Sequence, residues 1–591
     1  MQGLIESNWR IQMNYIKRNN ALLNILILSS FIVLSLVFCL FFMKTKTIYY
    51  GDDMYYHLQR INELIKNAKD GNVFVGIYTY TFDKVGYPLN LFYPWITLLP
   101  FVLIYGAVKN LTVAVYLGIS FYTFLTLVFT HWVTFKYCHS KSQSFITACI
   151  YAFCSYRVID IFARFALGEF LAMTFLPLVV YGAYAIIKGN YKDWPFLAFG
   201  ISFVLLSHLL STLIYVLFLV VLGIVIFLVS RQFDSIKNRL LSLAKAIVVA
   251  ATSSAVSLFP FLEQVLFQHF QQPSKMDMVE QALIPAKLLG CSINNTVGRT
   301  VGGNVYNIGF VLLFVMVLGI MYYKKMDRNY KIIFVLAIAF FFASTTLLPW
   351  AQLEKTPISV IQFPWRLLVI SSFLLSVIGG YEFTMVTRNK NKALAVIIAA
   401  FLMLIPWYSG ISNLKRDIAK PDQYIAYHYV ELNNNSFNYS HGAKKTAKYM
   451  IYLDQYTPEK GLPALDMVRD HLAVIGHKTV KLDNIKSGGT NKLEYTSNKF
   501  VNGTGITLPM YVYKNLQVMN GNGKKLSFTS SKNNQIKVNN SFGSNKIIVQ
   551  YKASKLDVCA IILSLGTWLL GMVVFMKRLV QKYCKMRSSK D

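Results

Sequence analysis

The chain has 591 residues, 55% of them apolar and only 15% charged, with a mean hydropathy of +0.43. Soluble globular chains carry ~25% charged residues, so composition excludes a soluble multidomain protein, a disordered chain and a small disulfide scaffold, and leaves a polytopic membrane protein. Lys and Arg number 59 against 27 Asp and Glu, a net charge of +32; without zinc-finger spacing or a compact basic helix, that excess reads as membrane topology and an anionic membrane surface, with no nucleic acid partner.

In chain order, Arg10, Lys17 and Arg18 precede an apolar run over 21–43. That run is long enough to span ~30 Å of hydrocarbon and lacks a small-residue cleavage site, so it reads as a retained anchor with the N-terminus inside. Residues 44–110 then form the first outer loop. Further spans are expected near 111–136, 143–158, 168–187, 194–207, 209–229, 240–262, 306–323, 330–347, 364–383, 392–408 and 556–577, about twelve in all. Basic loops between them fall on one side: Lys136 to Lys141, Lys188 to Lys192, Arg231 to Arg239, Lys324 to Lys331 and Arg388 to Lys392. The basic tail after 577 shares that side, so both termini are expected in the cytoplasm. Residues 91–108 are apolar but interrupted by Pro94 and Pro100, each of which removes a helical hydrogen bond. They read as a re-entrant or interfacial segment packed on protein, the alternative being a full span with another of the expected spans lost.

The chain thus divides into a membrane domain (1–409), an outer β-rich domain (410–555), and a last span with its tail (556–591). Strands are expected at Ile506 to Tyr513, Leu526 to Thr529, Gln535 to Val538 and Lys546 to Tyr551, separated by Asn- and Gly-rich turns. Seven scattered cysteines include no Cys-x-x-Cys pair, so neither a disulfide framework nor a structural zinc site is expected. P-loop, His-Glu-x-x-His and Gly-x-Ser-x-Gly signatures are absent.

Four polar constellations fall on the outer side. Asp52 and Asp53 sit where a helix should begin, and His57 and Arg60 follow Asp53 at i+4 and i+7 on one face. A carboxylate there can take a proton from a hydroxyl, and a guanidinium can pair with phosphate. Arg157, Asp160, Arg164 and Glu169 crowd a turn between two spans, where charges cost ~2.5–3.5 kcal/mol each at bilayer depth. His208 lies at the outer turn of a tight hairpin. Gln362-Phe-Pro-Trp-Arg366 leads into another span. Taken singly, each also suits a structural role: an N-cap, a closed ion pair, a buried imidazole, an interfacial anchor. Their convergence on one leaflet is what points to a site.

An Asp pair in the first outer loop after one span resembles the GT-C class of integral-membrane glycosyltransferases. More narrowly, Asp53-x-x-x-His57-x-x-Arg60, Gly86-Tyr-Pro88 with Phe92-Tyr-Pro94, Arg164-Phe-Ala-Leu-Gly-Glu169 and Gln362-Phe-Pro-Trp-Arg366 resemble the bacterial YfhO-like membrane proteins. They also resemble the group labelled "6-pyruvoyl-tetrahydropterin synthase-related". Leu508 to Tyr513 through Ile547 to Tyr551 is similar to the β-domain before the last span of that family. The resemblance implies a GT-C-like membrane fold with an outer β-rich domain in the bacterial plasma membrane, and an active site on the outer face. It implies transfer of a sugar from a polyprenyl-phosphate donor to a cell-wall or lipid-anchored glycopolymer such as lipoteichoic acid. It places the base at Asp52 or Asp53. Arg60, Arg164 and Arg366 are the expected phosphate ligands, and His57, Tyr87, Glu169, His208 and Gln362 the expected sugar or acceptor ligands. Some members of the class use a divalent metal; no dedicated ligand set is visible in this sequence. The rival expectations are a lipid-linked saccharide flippase or transporter, which needs no base, and a non-catalytic envelope assembly factor.

Overall fold

The computed structural model describes residues 2–44, 47–48, 51–229, 234–272, 276–298, 305–388, 390–418, 430–433, 436–439, 455–540 and 543–588. Arg231 of the third basic loop, and 419–429 and 440–454 of the expected outer domain, lie outside the described residues.

Among the described residues, seven helical segments are long and apolar enough to cross a membrane. They are Ala21–Met43, Leu111–Cys138, Leu167–Ile187, Leu209–Val229, Pro364–Val386, Leu394–Arg416 and Lys555–Arg578. Two bent pairs, Lys141–Ala152 with Ser155–Ala163 and Ile236–Ser253 with Ala255–Phe267, bring the number to nine if each is one span. The twelve spans expected from hydropathy exceed this. Three of them form helices of only 11, 13 and 16 residues: Pro195–Leu205, Phe310–Tyr322 and Arg328–Ala343. Crossing takes ~20 helical residues. Hydropathy counts apolar residues whether or not they are helical, and Val305 to Gly309 run as irregular chain ahead of Phe310.

Residues 91–108 do not make one helix. A turn ending at Phe92 is followed by a 3-10 turn, Ile96–Leu98, and a short helix, Leu99–Val108. Pro94 lies in the break, Pro100 sits in the first turn of Leu99–Val108 where proline is tolerated, and neighbouring groups satisfy the freed backbone. Tyr122 Oη donates to Thr97 O at 2.6 Å, and Thr97 Oγ1 donates to Leu206 O at 3.1 Å.

The loop after the first span is built on the Met54–Lys69 helix, which buries Leu58, Ile61, Leu64 and Ile65 at helical spacing. Its buried Glu63 organises the chain that returns over it. The Glu63 carboxylate accepts from Thr79 N (2.9 Å), Tyr80 N (3.1 Å), Thr81 N (2.8 Å), Thr81 Oγ1 (2.8 Å) and Asn67 Nδ2 (2.9 Å). Such charge-assisted bonds are roughly twice as strong as neutral ones.

Beyond residue 470 two five-stranded antiparallel sheets form. One runs in the order Lys525–Leu526, Leu516–Asn520, Lys546–Tyr551, Lys492–Thr496, Asn484–Ser487. The other runs Phe528–Ser530, Gln535–Asn539, Gly505–Tyr511, Leu472–Ile475, Lys478–Lys481. Burial alternates along Lys546–Tyr551 and Lys492–Thr496, with Ile547, Val549, Leu493 and Tyr495 inside. The sheets dock on the loop after the first span. Asn491 Oδ1 accepts from Gly76 N (2.7 Å) and Ile77 N (3.2 Å), while its Nδ2 donates to Phe74 O (2.9 Å).

Candidate active site

The loop helix starts where the sequence places an acid. Asp53 occupies its N-cap position, yet its carboxylate makes no capping hydrogen bond. Instead the Asp53 backbone N–H donates to Arg164 O at 2.9 Å, and its Oδ2 lies 3.9 Å from Arg164 Nη2. Two motifs far apart in sequence are thereby clamped together. Gly51 permits the approach: a Cβ there would sit 2.7 Å from the carbonyl carbon and oxygen of Arg164.

Behind Asp53 lies a buried ion-pair network. Arg164 Nη1 binds Asp160 Oδ1 (2.7 Å) and Glu169 Oε2 (3.1 Å). Arg366 Nε reaches the same Glu169 oxygen at 3.3 Å, and Tyr156 Oη donates to Glu169 Oε1 at 2.6 Å. Arg366 Nη1 donates to Gln362 Oε1 (2.9 Å) and Ile361 O (3.0 Å). Trp365 walls the network: Arg164 stacks 4.6 Å from its ring, which lies 3.7 Å from that of Tyr306. Breaking one partner of such a buried pair typically costs ~3–5 kcal/mol, so the network is a rigid frame for whatever it faces.

Asp53 differs from its neighbours in being open. Its side chain keeps 44% of its surface, against 4% for Glu169 and 1% for Asp160. The surrounding protein still displaces enough water to push its pKa up to about 6; Arg164 opposes that rise, and the like charge of Asp52 adds to it.

His57 and Arg60 share a helix face with Asp53, as the spacing requires, but they serve a second cluster. Arg60 Nη2 donates to Pro94 O (2.6 Å) and Tyr93 O (3.3 Å), Nη1 lies 3.5 Å from His57 Nδ1, and the guanidinium stacks 4.1 Å from the Tyr93 ring. Burial, with Arg60 beside it, holds His57 well below the usual imidazole range. His208 lies on the other side of Tyr93, with ring centroids 5.8 Å apart. Burial, helped by Arg366, pushes its pKa down to about 3. Ser211 N donates to His208 Nδ1 at 3.3 Å, which leaves the ring proton on Nε2. Tyr93 joins the two clusters, its hydroxyl lying directly over Gly168, where no larger residue fits.

Of the residues singled out in the sequence, Asp53, Arg164, Glu169, Gln362 and Arg366 come together, with Asp52 adjoining. His57, Arg60 and His208 gather round Tyr93. Tyr87 belongs to the seam with the sheets, its hydroxyl donating to Gln455 O at 2.6 Å. Tyr93, Tyr156, Tyr306 and Trp365 are structural members that residue-type reasoning passes over. Tyr93 was signalled only by its place in Phe92-Tyr-Pro94. A further arginine departs from expectation. Arg157 is fully buried, and none of its guanidinium nitrogens has a hydrogen-bond partner among the described residues; its ring neighbours are Phe170 (4.3 Å) and Tyr151 (5.7 Å). Among the described residues, no group of three or more His, Cys, Asp or Glu side chains is placed to hold a metal ion.

No family model matches the chain, and no curated protein matches it in sequence. Among solved structures, it is similar to the arabinofuranosyltransferase AftD from Mycobacteria at 14% identity and a TM-score of 0.40, over 66% of this chain and 26% of that one. It is also similar to the Archaeoglobus fulgidus oligosaccharyltransferase in the apo form, at 12% identity and a TM-score of 0.37, over 75% of this chain and 58% of that one. The chain thus spans about a quarter of the length of the first and under two thirds of the second. The likeness is loose at these scores, and the reading below stands on the site itself.

Proposed function

We propose that the protein is a GT-C-type membrane glycosyltransferase that moves a sugar from a polyprenyl-phosphate donor to an acceptor in the cell envelope. The observation that carries this is Asp53: a half-open carboxylate with a pKa near 6, set beside two buried guanidinium groups at one end of a bundle of spans. A base titrating near the working pH is suited to accept a proton from a hydroxyl. The acceptor oxygen attacks the anomeric carbon as its proton passes to Asp53. The bond from that carbon to the donor phosphate oxygen breaks, polyprenyl phosphate departs with the bonding electrons, and configuration inverts. Asp52 is the alternative base in the pair.

The phosphate is assigned to Arg164 and Arg366. In each, Nη1 is committed to protein acceptors, while Nη2 accepts no such commitment among the described residues beyond the 3.9 Å approach to Asp53. Arg60 turns Nη1 to His57 and Nη2 to Tyr93 and Pro94, while its buried Nε has no partner among the described residues, so it is assigned to positioning the aromatic cluster. His208, with its proton on Nε2, and Gln362 are hydrogen-bonding groups for sugar or acceptor. Tyr93 supplies an aromatic face; Glu169 orients both arginines. A wall polymer or lipoteichoic acid as acceptor, and an outward-facing site, follow from the YfhO-like resemblance of the motifs. The test is the sugar content of isolated wall polymer from a deletion strain complemented with Asp52→Asn/Asp53→Asn. Loss of the sugar with accumulation of lipid-linked donor is expected. A wild-type sugar content, with the variant present in the membrane, overturns the assignment and leaves the flippase and assembly-factor readings.

A further inference from the structure

The bundle also has a cavity at its far end. The Leu167–Ile187 helix begins at the ion-pair network and runs ~22 Å from Glu169 to Tyr184 at 1.5 Å per residue. There the ends of Leu111–Cys138, Leu167–Ile187 and Leu209–Val229, the start of Arg328–Ala343 and the middle of Leu368–Val386 line an open groove with an inner volume of about 100 Å³. Leu222, Ile226, Leu336, Phe373, Leu374 and Val377 make its walls. Phe218 and Phe340, with ring centroids 5.3 Å apart, bring two of these helices together one turn nearer the carboxylates. At the mouth the lining changes to Tyr137, Tyr184, Asn329 and Lys188.

We propose that this groove binds an anionic glycerophospholipid of the adjoining leaflet, one acyl chain lying between the helices and the phosphate resting on Lys188 and Asn329. The walls offer no partner to a polar ligand, and all but Leu336 belong to helices long and apolar enough to cross a membrane, so the occupant comes from the bilayer. Tyrosines ring the mouth, as they do at membrane–water boundaries. Charge selects the headgroup. Nearby Lys136 is neutralised by Asp193 at 3.0 Å. Lys188 is exposed, and its ammonium has no ion pair or hydrogen bond among the described residues. The donor proposed above needs its phosphate at Arg164 and Arg366, at the other end, so the groove is a second lipid site and does not rest on the transfer reading.

The experiment uses the full chain, delipidated in detergent and supplied with phosphatidylglycerol, phosphatidylcholine or polyprenyl phosphate, with retained lipid read by native mass spectrometry. The wild type should keep one phosphatidylglycerol in preference to phosphatidylcholine. Lys188→Gln, an exposed change, should cut that preference about fivefold, the value of one lysine against anionic lipid, and leave phosphatidylcholine retention unchanged. Val180→Phe, which fills the groove, should lower both. Equal retention of the two phospholipids by the wild type, or an unchanged preference in Lys188→Gln, overturns the proposal. So does displacement of phosphatidylglycerol by polyprenyl phosphate in the wild type but not in Val180→Phe, which would give the groove to the donor. Retention is measured without sugar transfer, so a failed transferase reading leaves this result standing.

Discussion

Asp53 and Glu63 stand on one helix of the loop after the first span and meet opposite surroundings. Glu63 is wholly buried, and its two oxygens gather backbone and side-chain donors from Thr79 to Thr81 and from Asn67. Every lone pair it can offer inward is used, and the chain that supplies the donors is held in place. Asp53 has the N-cap position but declines the cap, keeps nearly half its surface, and faces a guanidinium 3.9 Å away. One carboxylate holds the loop; the other is left with capacity to spare. Burial by itself therefore does not mark the reactive acid. Incomplete hydrogen bonding at an open position beside fixed cations does.

Substitution by the matching amide separates the two. Asp53→Asn keeps shape and removes the charge; transfer should fall ~10²–10⁴-fold, the range for loss of a general base, with the membrane level and the unfolding temperature unchanged. Glu63→Gln should do the reverse. An amide nitrogen cannot accept from Thr81, so the variant should lose ~1.5–3 kcal/mol per charged hydrogen bond removed, seen as earlier thermal unfolding and faster proteolysis within 72–88. If Asp53→Asn unfolds early while Glu63→Gln does not, the contrast collapses and Asp53 becomes a structural residue.

The sequence made part of this contrast visible. An acid pair before an amphipathic helix announces an N-terminus, and the crowding of charge in Arg157 to Glu169 announces a polar interior. The convergence of Asp53, Arg164, Glu169 and Arg366 follows from motifs placed on one leaflet. The division of labour within them was not legible. His57 and Arg60 share the face of Asp53, but the partner each takes depends on where Pro94 and Tyr93 return, which spacing on one helix does not contain. Glu63 passed without notice because its partners are backbone N–H groups, which no side-chain pattern records. Three expected strands appear and the fourth, Leu526 to Thr529, is split between Lys525–Leu526 and Phe528–Ser530 of different sheets, while strands such as Leu472–Ile475, Lys478–Lys481, Asn484–Ser487, Lys492–Thr496 and Leu516–Asn520 carry no clear sequence signal. They are short, and in Lys478–Lys481, Asn484–Ser487 and Lys492–Thr496 lysine or asparagine dilutes the alternation. The overcount of spans has the same root: apolar composition fixes burial, and helical length depends on where Gly309 and the turn before Pro195 interrupt the chain.

Arg157 extends the comparison to cations. Arg164 and Arg366 are framed by carboxylates; Arg157 is as deeply buried with no acceptor among the described residues, held by the faces of Phe170 and Tyr151. Replacing a buried, poorly compensated charge by an apolar side chain of similar length is often neutral or stabilising by ~1–4 kcal/mol. Losing the stacked contact offsets part of that gain. Arg157→Met should therefore unfold at the same temperature or slightly higher, whereas Arg164→Met should unfold much earlier because it strands Asp160 and leaves Glu169 with Arg366 as its one cation. A clear drop for Arg157→Met would mean that this guanidinium has a strong partner.

The smallest effect discriminates most finely between the two acids of the pair. Asp53 is ionised only above about pH 6, because desolvation raises its pKa more than Arg164 lowers it. A base must be ionised to accept a proton, so transfer should fall about twofold from pH 7 to pH 6 and approach tenfold per unit below that. Asp52 contributes to the raised value through its like charge. Neutralising it in Asp52→Asn should move the limb to lower pH while transfer persists at pH 7. Measuring kcat/KM against pH for wild type and Asp52→Asn tests this without disturbing the ion-pair network. A limb that moves upward, or none between pH 5 and 7, removes Asp53 as the titrating base. If Asp52→Asn abolishes transfer and Asp53→Asn does not, the roles exchange: the base is Asp52, and the open carboxylate at the helix start is the one that tunes it.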